Sequence, residues 1–77
     1  VYILKSTKTD KYYYGSSGDI TRRLKEHNAG EVTSTRSGRP WRIHYLEEYD
    51  SKTETILRER YFKKRSGDGW LKKESII

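Results

Sequence analysis

The chain predicts a small α+β fold, a three-stranded, mainly antiparallel sheet flanked by helices in the order β-β-α-β-α, with room for a final α. Three observations point there. Two short strand-like runs near the start are separated by five polar residues, the pattern of a β-hairpin. Two later stretches carry helix-start residues ahead of apolar positions at helical spacing. Between them lies a run whose apolar residues recur every second position, the period of a strand.

The first strand is Val1–Lys5, "VYILK", and Ser6–Asp10 is its turn. Lys11–Gly15, "KYYYG", is the second, built of aromatics that suit a pleated surface. Asp19 is a good N-cap, because its carboxylate can accept from the free amides of a first turn. Ile20, Leu24 and His27 then mark one helix face, and Gly30 stops the helix. Glu31–Pro40 reads as a loop rich in Ser, Thr and Arg. In Trp41–Tyr49, residues Trp41, Ile43 and Tyr45 alternate and predict the third strand. Asp50–Arg65 is the strongest helix pattern. Ser51 with Glu54 forms a capping-box pair, and Ile56, Leu57 and Tyr61 form the apolar stripe. Ser66–Gly69, "SGDG", is expected to break it, leaving the last eight residues as a helical turn or irregular tail.

With 77 residues the chain is expected to form a single domain, 1–77. The charged fraction, 36%, exceeds the hydrophobic fraction, 31%, a balance that approaches disorder, yet the periodicity argues for a fold. Seven Tyr and two Trp supply large rings where a core this small needs them. No cysteine is present, which removes disulfides and thiolate zinc sites and fits a reducing, cytoplasmic compartment. His27 and His44 alone do not make a zinc site. No apolar run is long enough to span a bilayer. The first residue already lies in a strand and is not Met, so residues are expected to precede Val1. A net charge of +6 and a pI near 9.7 point to a polyanionic partner, first of all nucleic acid.

The ordered set "VYIL", "YYG" at Tyr13–Gly15, "DITRRLKEHN" at Asp19–Asn28 and "LRERYFKK" at Leu57–Lys64 resembles the GIY-YIG nuclease domain. It is most similar to the small standalone bacterial proteins related to the N-terminal domain of the excision-repair incision subunit. The resemblance covers nearly the whole chain. It implies that the first motif ends on Tyr2 and that the second is Tyr13-Tyr14-Gly15. It makes Arg23 the helix arginine, His27 the Tyr/His position one turn on, and Glu59 the metal-binding glutamate. Two departures stand out. Ser16 follows the glycine where DNA-repair members often carry Lys, and no late Asn follows the second helix, since the only one is Asn28.

Hydrolysis of a phosphodiester needs an activated water, positive charge over the developing phosphorane and help for the leaving oxygen. The resemblance therefore implies an endonuclease cutting DNA with one Mg²⁺ or Mn²⁺ on Glu59. Tyr2 and Tyr13 are expected to activate and orient water, Arg23 to hold the phosphate and His27 to relay a proton. A tyrosine is a poor base at its free pKa of about 10, and a nearby guanidinium, imidazole or metal-bound water can favour its ionised form. Arg23 and His27 are i and i+4 and share a helix face. Tyr12 and Tyr14 alternate to the other face of the strand and are expected to be structural. Lys5, Arg22, Arg36, Arg39, Lys63 and Lys64 are expected to grip DNA phosphates without sequence preference. A protein partner could supply specificity. The competing reading is a nonenzymatic nucleic-acid-binding module that keeps the fold.

Overall fold

The structure is a computed structural model that describes residues 1–77. Strands β1 (Tyr2–Ser6), β2 (Tyr12–Gly15) and β3 (Trp41–Leu46) form one sheet of order β2-β1-β3, with both pairings antiparallel. Helices α1 (Ile20–Asn28), α2 (Lys52–Phe62) and α3 (Arg65–Lys73) accompany it, and Thr33–Gly38 forms a short 3-10 helix. The expected α+β architecture and strand directions are those observed. No helix is long and apolar enough to cross a membrane.

The central strand β1 is buried almost throughout, because it has a partner on each side and helices over both faces. Its alternation divides the core. Tyr2 and Leu4 point to one face and pack with Trp41, Tyr13, Ile20 and Leu24 under α1. Val1 and Ile3 point to the other and pack with Phe62 and Leu71 from α2 and α3. Tyr12 and Tyr14 join this second cluster, as the period of two requires.

Four local expectations are corrected. The Glu31–Pro40 loop contains the 3-10 helix, which buries Thr35 and Gly38. Trp41 and Tyr45 lie on opposite faces instead of one. The β1–β3 register slips between Ile3 and Leu4, which pair with Tyr45 and Ile43 and leave His44 as the extra residue. That bulge inverts the alternation; Ile43 ends 40% exposed.

The third correction concerns α2. Leu57 is 58% exposed, and Phe62, absent from the expected stripe, is 1% exposed. The fourth is the break, which comes at Lys63 and Lys64, ahead of Ser66–Gly69, and α3 runs through those glycines. A Cβ on Gly67 would stand 1.8 Å from the Tyr61 carbonyl oxygen. The glycine therefore lets two consecutive helices meet closely, and it is not a stop.

The caps follow the sequence. The Asp19 carboxylate accepts from the Arg22 amide at 3.0 Å, and Ser51 Oγ accepts from the Glu54 amide at 3.1 Å. Asn28, at the end of α1, accepts from the Trp41 amide and donates to the Trp41 carbonyl, at 2.6 and 3.0 Å. This side-chain amide mimics a neighbouring strand and fastens α1 to the free edge of β3.

Candidate active site

The site lies where β1 begins and β2 ends, under α1. Tyr2 faces Gly15 across the β1–β2 ladder. A Cβ at Gly15 would come within 2.5 Å of the Tyr2 hydroxyl oxygen and 2.6 Å of Cζ. The glycine after Tyr14 thus makes room for the Tyr2 ring to cross the neighbouring strand.

The Tyr2 hydroxyl lies 3.1 Å from His27 Nε2, and both residues are buried. His27 Nδ1 lies 2.7 Å from Thr35 Oγ1, and the Thr35 hydroxyl reaches the Val32 carbonyl at 3.3 Å. A threonine hydroxyl has one proton to give. With that proton on the Val32 carbonyl, Thr35 accepts from His27 Nδ1–H, and the bare Nε2 accepts from Tyr2. The network thereby assigns the tautomer. Thr35 is also held through its carbonyl, which accepts from Trp41 Nε1 at 2.7 Å. Tyr13 stands beside this chain with its ring edge-on to His27, centroids 5.0 Å apart. It is only half-buried, at the rim above Tyr2.

Electrostatics fix the charge states. Burial, and then the Arg23 guanidinium, push the His27 imidazolium below its usual range, so the ring is neutral near pH 7. Burial raises the Tyr2 phenol, and hydrogen bonding to Arg23 only partly offsets it. Burial outweighs the nearby cation, and Tyr2 is a neutral phenol beside a neutral imidazole.

Arg23 is about a third exposed, and its Nη1 donates to Glu26 Oε1 at 2.9 Å. Glu59 belongs to α2 but reaches the end of β2. Burial raises its carboxyl, yet hydrogen bonds from the Ser16 hydroxyl and the Lys63 ammonium outweigh burial and hold it below the usual range. Ser16, which departs from the repair-type pattern, thus lies near the carboxylate. Lys63 Nζ reaches Glu59 Oε2 at 2.9 Å. No cluster of three His, Asp or Glu side chains surrounds a point where a metal could bind. One ionised carboxylate beside a hydroxyl still suits Mg²⁺, which keeps most of its waters and borrows phosphate oxygens.

Tyr2, Tyr13, Arg23, His27 and Glu59 therefore share one end of the sheet. The remaining basic residues sit on several different elements. Lys5 lies on the opposite face, over the Tyr12 ring at 5.5 Å. Arg22 is exposed and 3.8 Å from Glu26. Arg36 lies within the 3-10 helix and Arg39 caps its end. Lys63 is engaged by Glu59, and Lys64 caps α3. Thr35 escaped the sequence reading, and Ser16 and Glu26 were given no role at the site. The spacing from Glu26 to Arg23 and the place of Ser16 after Gly15 could have flagged two of them, whereas tertiary folding brings Thr35 to the site.

The GIY-YIG catalytic domain model matches residues 1–74. A UPF0213 protein of Listeria welshimeri is 38% identical over 66 residues, covering 84% of this chain and 72% of its own. A UPF0213 protein of Halobacterium salinarum is 37% identical over 67 residues, covering 86% of each. The structure-specific endonuclease subunit slx1 of Schizosaccharomyces pombe is 43% identical over 51 residues, 58% of this chain but 19% of that protein. No solved structure matches.

Proposed function

The chain belongs to the GIY-YIG catalytic domain family, and on that premise we propose that it is a metal-dependent endonuclease hydrolysing DNA phosphodiester bonds, of the kind that processes DNA in repair and recombination. The observation that carries the reading is the Tyr2 hydroxyl, 3.1 Å from a buried imidazole nitrogen that is free to accept a proton.

In this reading Tyr13, at the rim, orients the attacking water. Tyr2 takes a proton from that water as its own passes to His27 Nε2, so no free phenolate accumulates. Water oxygen bonds to phosphorus as the bond to the leaving oxygen breaks. Arg23 turns from Glu26 to grip the non-bridging oxygens, where a guanidinium fork matches phosphate geometry. Glu59 would hold a Mg²⁺ or Mn²⁺, whose charge would stabilise the phosphorane and ease departure of the leaving oxygen. The fission-yeast relative is by name a subunit, so a protein partner supplying specificity belongs to the proposal.

The ion pair between Glu59 and Lys63 favours a second reading, a nucleic-acid-binding module in which Lys63 stands where a metal would. Titration of Mg²⁺ and Mn²⁺ against wild type and Glu59→Gln, reading cutting and binding together, separates the two. The nuclease reading expects metal-dependent cutting that Glu59→Gln reduces by about 10²-fold or more while binding persists. Salt-sensitive binding by both proteins, with no cutting in either metal, would establish the module.

A further inference from the structure

Beside the 3-10 helix lies an open pocket of about 630 Å³ with no hydrophobic lining residue, formed by Lys8, Asn28, Thr33, Arg36, Ser37 and Arg39 together with Pro40. It is separate from the Tyr2–Glu59 site. Five ion pairs join other charges of the chain, and none involves Lys8, Arg36 or Arg39. Three cations thus gather at one concavity without a carboxylate within ion-pair distance.

The two arginines are exposed but tied to the backbone. Arg36 Nε donates to the Gly30 carbonyl and Arg39 Nε to the Arg36 carbonyl, both at 2.9 Å. Each guanidinium is anchored through Nε, which leaves its terminal nitrogens for a ligand. Gly30, at φ 81°, adopts a conformation that favours glycine, and a Cβ there would come within 2.6 Å of Arg39 Nη1. The backbone turn after α1 therefore doubles as the floor under Arg39.

We propose that this pocket binds a second backbone phosphate of the DNA, away from the phosphate that is cut. The proposal rests on the reading of DNA as the substrate. A polar lining with two anchored guanidinium forks and no hydrophobic residue suits a tetrahedral anion. Position supports it as well. Thr35, which holds His27, and Arg36, which lines the pocket, are consecutive residues of one 3-10 helix, so the backbone links the pocket to the Tyr2–His27 network.

The test uses the full chain carrying Glu59→Gln, so that cutting does not disturb the reading, and measures duplex DNA binding across a salt series. Arg36→Ala with Arg39→Ala should raise Kd roughly tenfold at low salt and lower the slope of log K against log salt by about 1. Arg36→Lys with Arg39→Lys keeps the charge but loses the fork, and should recover only part of the affinity. Because Arg36 also holds the Gly30 carbonyl, a second measurement leaves both arginines in place. Inorganic phosphate is titrated while the arginine Nε–Hε signals are followed by NMR. Those of Arg36 and Arg39 should shift together and saturate, and those of Arg60 and Arg65 should not. Unchanged affinity and slope in the alanine pair, full recovery in the lysine pair, or phosphate shifts spread over all arginines would each overturn the pocket. A chain that binds this way but never cuts would refute the nuclease reading and leave the pocket standing.

Discussion

At the scale of single residues, burial decides more than charge does. His27 is surrounded by protein and faces Arg23, and both influences favour the neutral ring. Its folded pKa lies below 6.5, so the unfolded chain binds its proton first as pH falls. His27 therefore contributes stability in full above about pH 6.5 and loses it progressively below. His27→Gln should flatten that part of the stability curve, measured by denaturant unfolding from pH 5 to 8. If the neutral ring accepts the Tyr2 proton, kcat/KM should also fall on an acidic limb lying below pH 6.5, and a limb above it would contradict the relay. Arg23→Ala should slow cleavage by about 10²–10³-fold, whereas Glu26→Gln, which frees Arg23 from its pair, should change it far less. The convergence of Tyr2, Tyr13, Arg23, His27 and Glu59 was legible because their spacings along the chain follow the family motifs. The protonation states were not, because they depend on how much water each ring loses. The Tyr2 phenol is the clearest case, since its burial outweighs the guanidinium beside it.

At the scale of elements, the short pieces between helices and strands carry more than their sequence suggests. The 3-10 helix reads as a polar loop, because Ser, Thr, Arg and Gly show no periodicity. Its Thr35 is nonetheless 1% exposed and fixes the His27 tautomer. Thr35→Val keeps the shape and removes the acceptor of Nδ1–H. It should lower cleavage and shift the acidic limb of the pH profile while DNA binding is preserved; an unchanged profile would reduce Thr35 to packing. Strand β2 ends on Gly15 for a spatial reason. Gly15→Ala would press a methyl against the Tyr2 ring and should destabilise the fold by about 1–3 kcal/mol, with a loss of activity larger than the thermal shift explains. Strand existence, helix caps and the division of Tyr12 and Tyr14 from Tyr13 followed from pattern alone. The bulge at His44 and the helix through Gly67 and Gly69 did not. A bulge is set by the partner strand, and glycine reads as a breaker unless the close approach it permits is known.

At the scale of the whole molecule, one ionic hub ties the second face of the sheet together. Arg58 forks onto Glu47 at 2.8 and 3.2 Å and lies over Trp70, Phe62 and Tyr61 at 4.4, 4.6 and 5.0 Å. Glu47 also accepts from the Tyr45 and Tyr49 hydroxyls, and burial together with that contact pushes the Tyr45 phenol to about 12. These contacts join β3, α2 and α3, an arrangement that an aromatic-rich chain without cysteine uses where a larger core would serve. Glu47→Ala leaves Arg58 without its carboxylate and should cost about 2–4 kcal/mol, read from denaturant unfolding. We propose that residues 1–77 unfold as one unit, since β1 belongs to both core clusters; coincident transitions by tryptophan fluorescence and far-UV circular dichroism would bear this out. The most direct test of the hydrolytic site is cleavage of labelled linear, nicked, flapped and four-way DNA by wild type and Tyr2→Phe, with Mg²⁺, Mn²⁺ or EDTA. The account predicts cutting that EDTA abolishes and that Tyr2→Phe slows by about 10²-fold or more at unchanged DNA affinity. Cutting that persists in EDTA, or a Tyr2→Phe protein that cuts as fast as wild type, would contradict it.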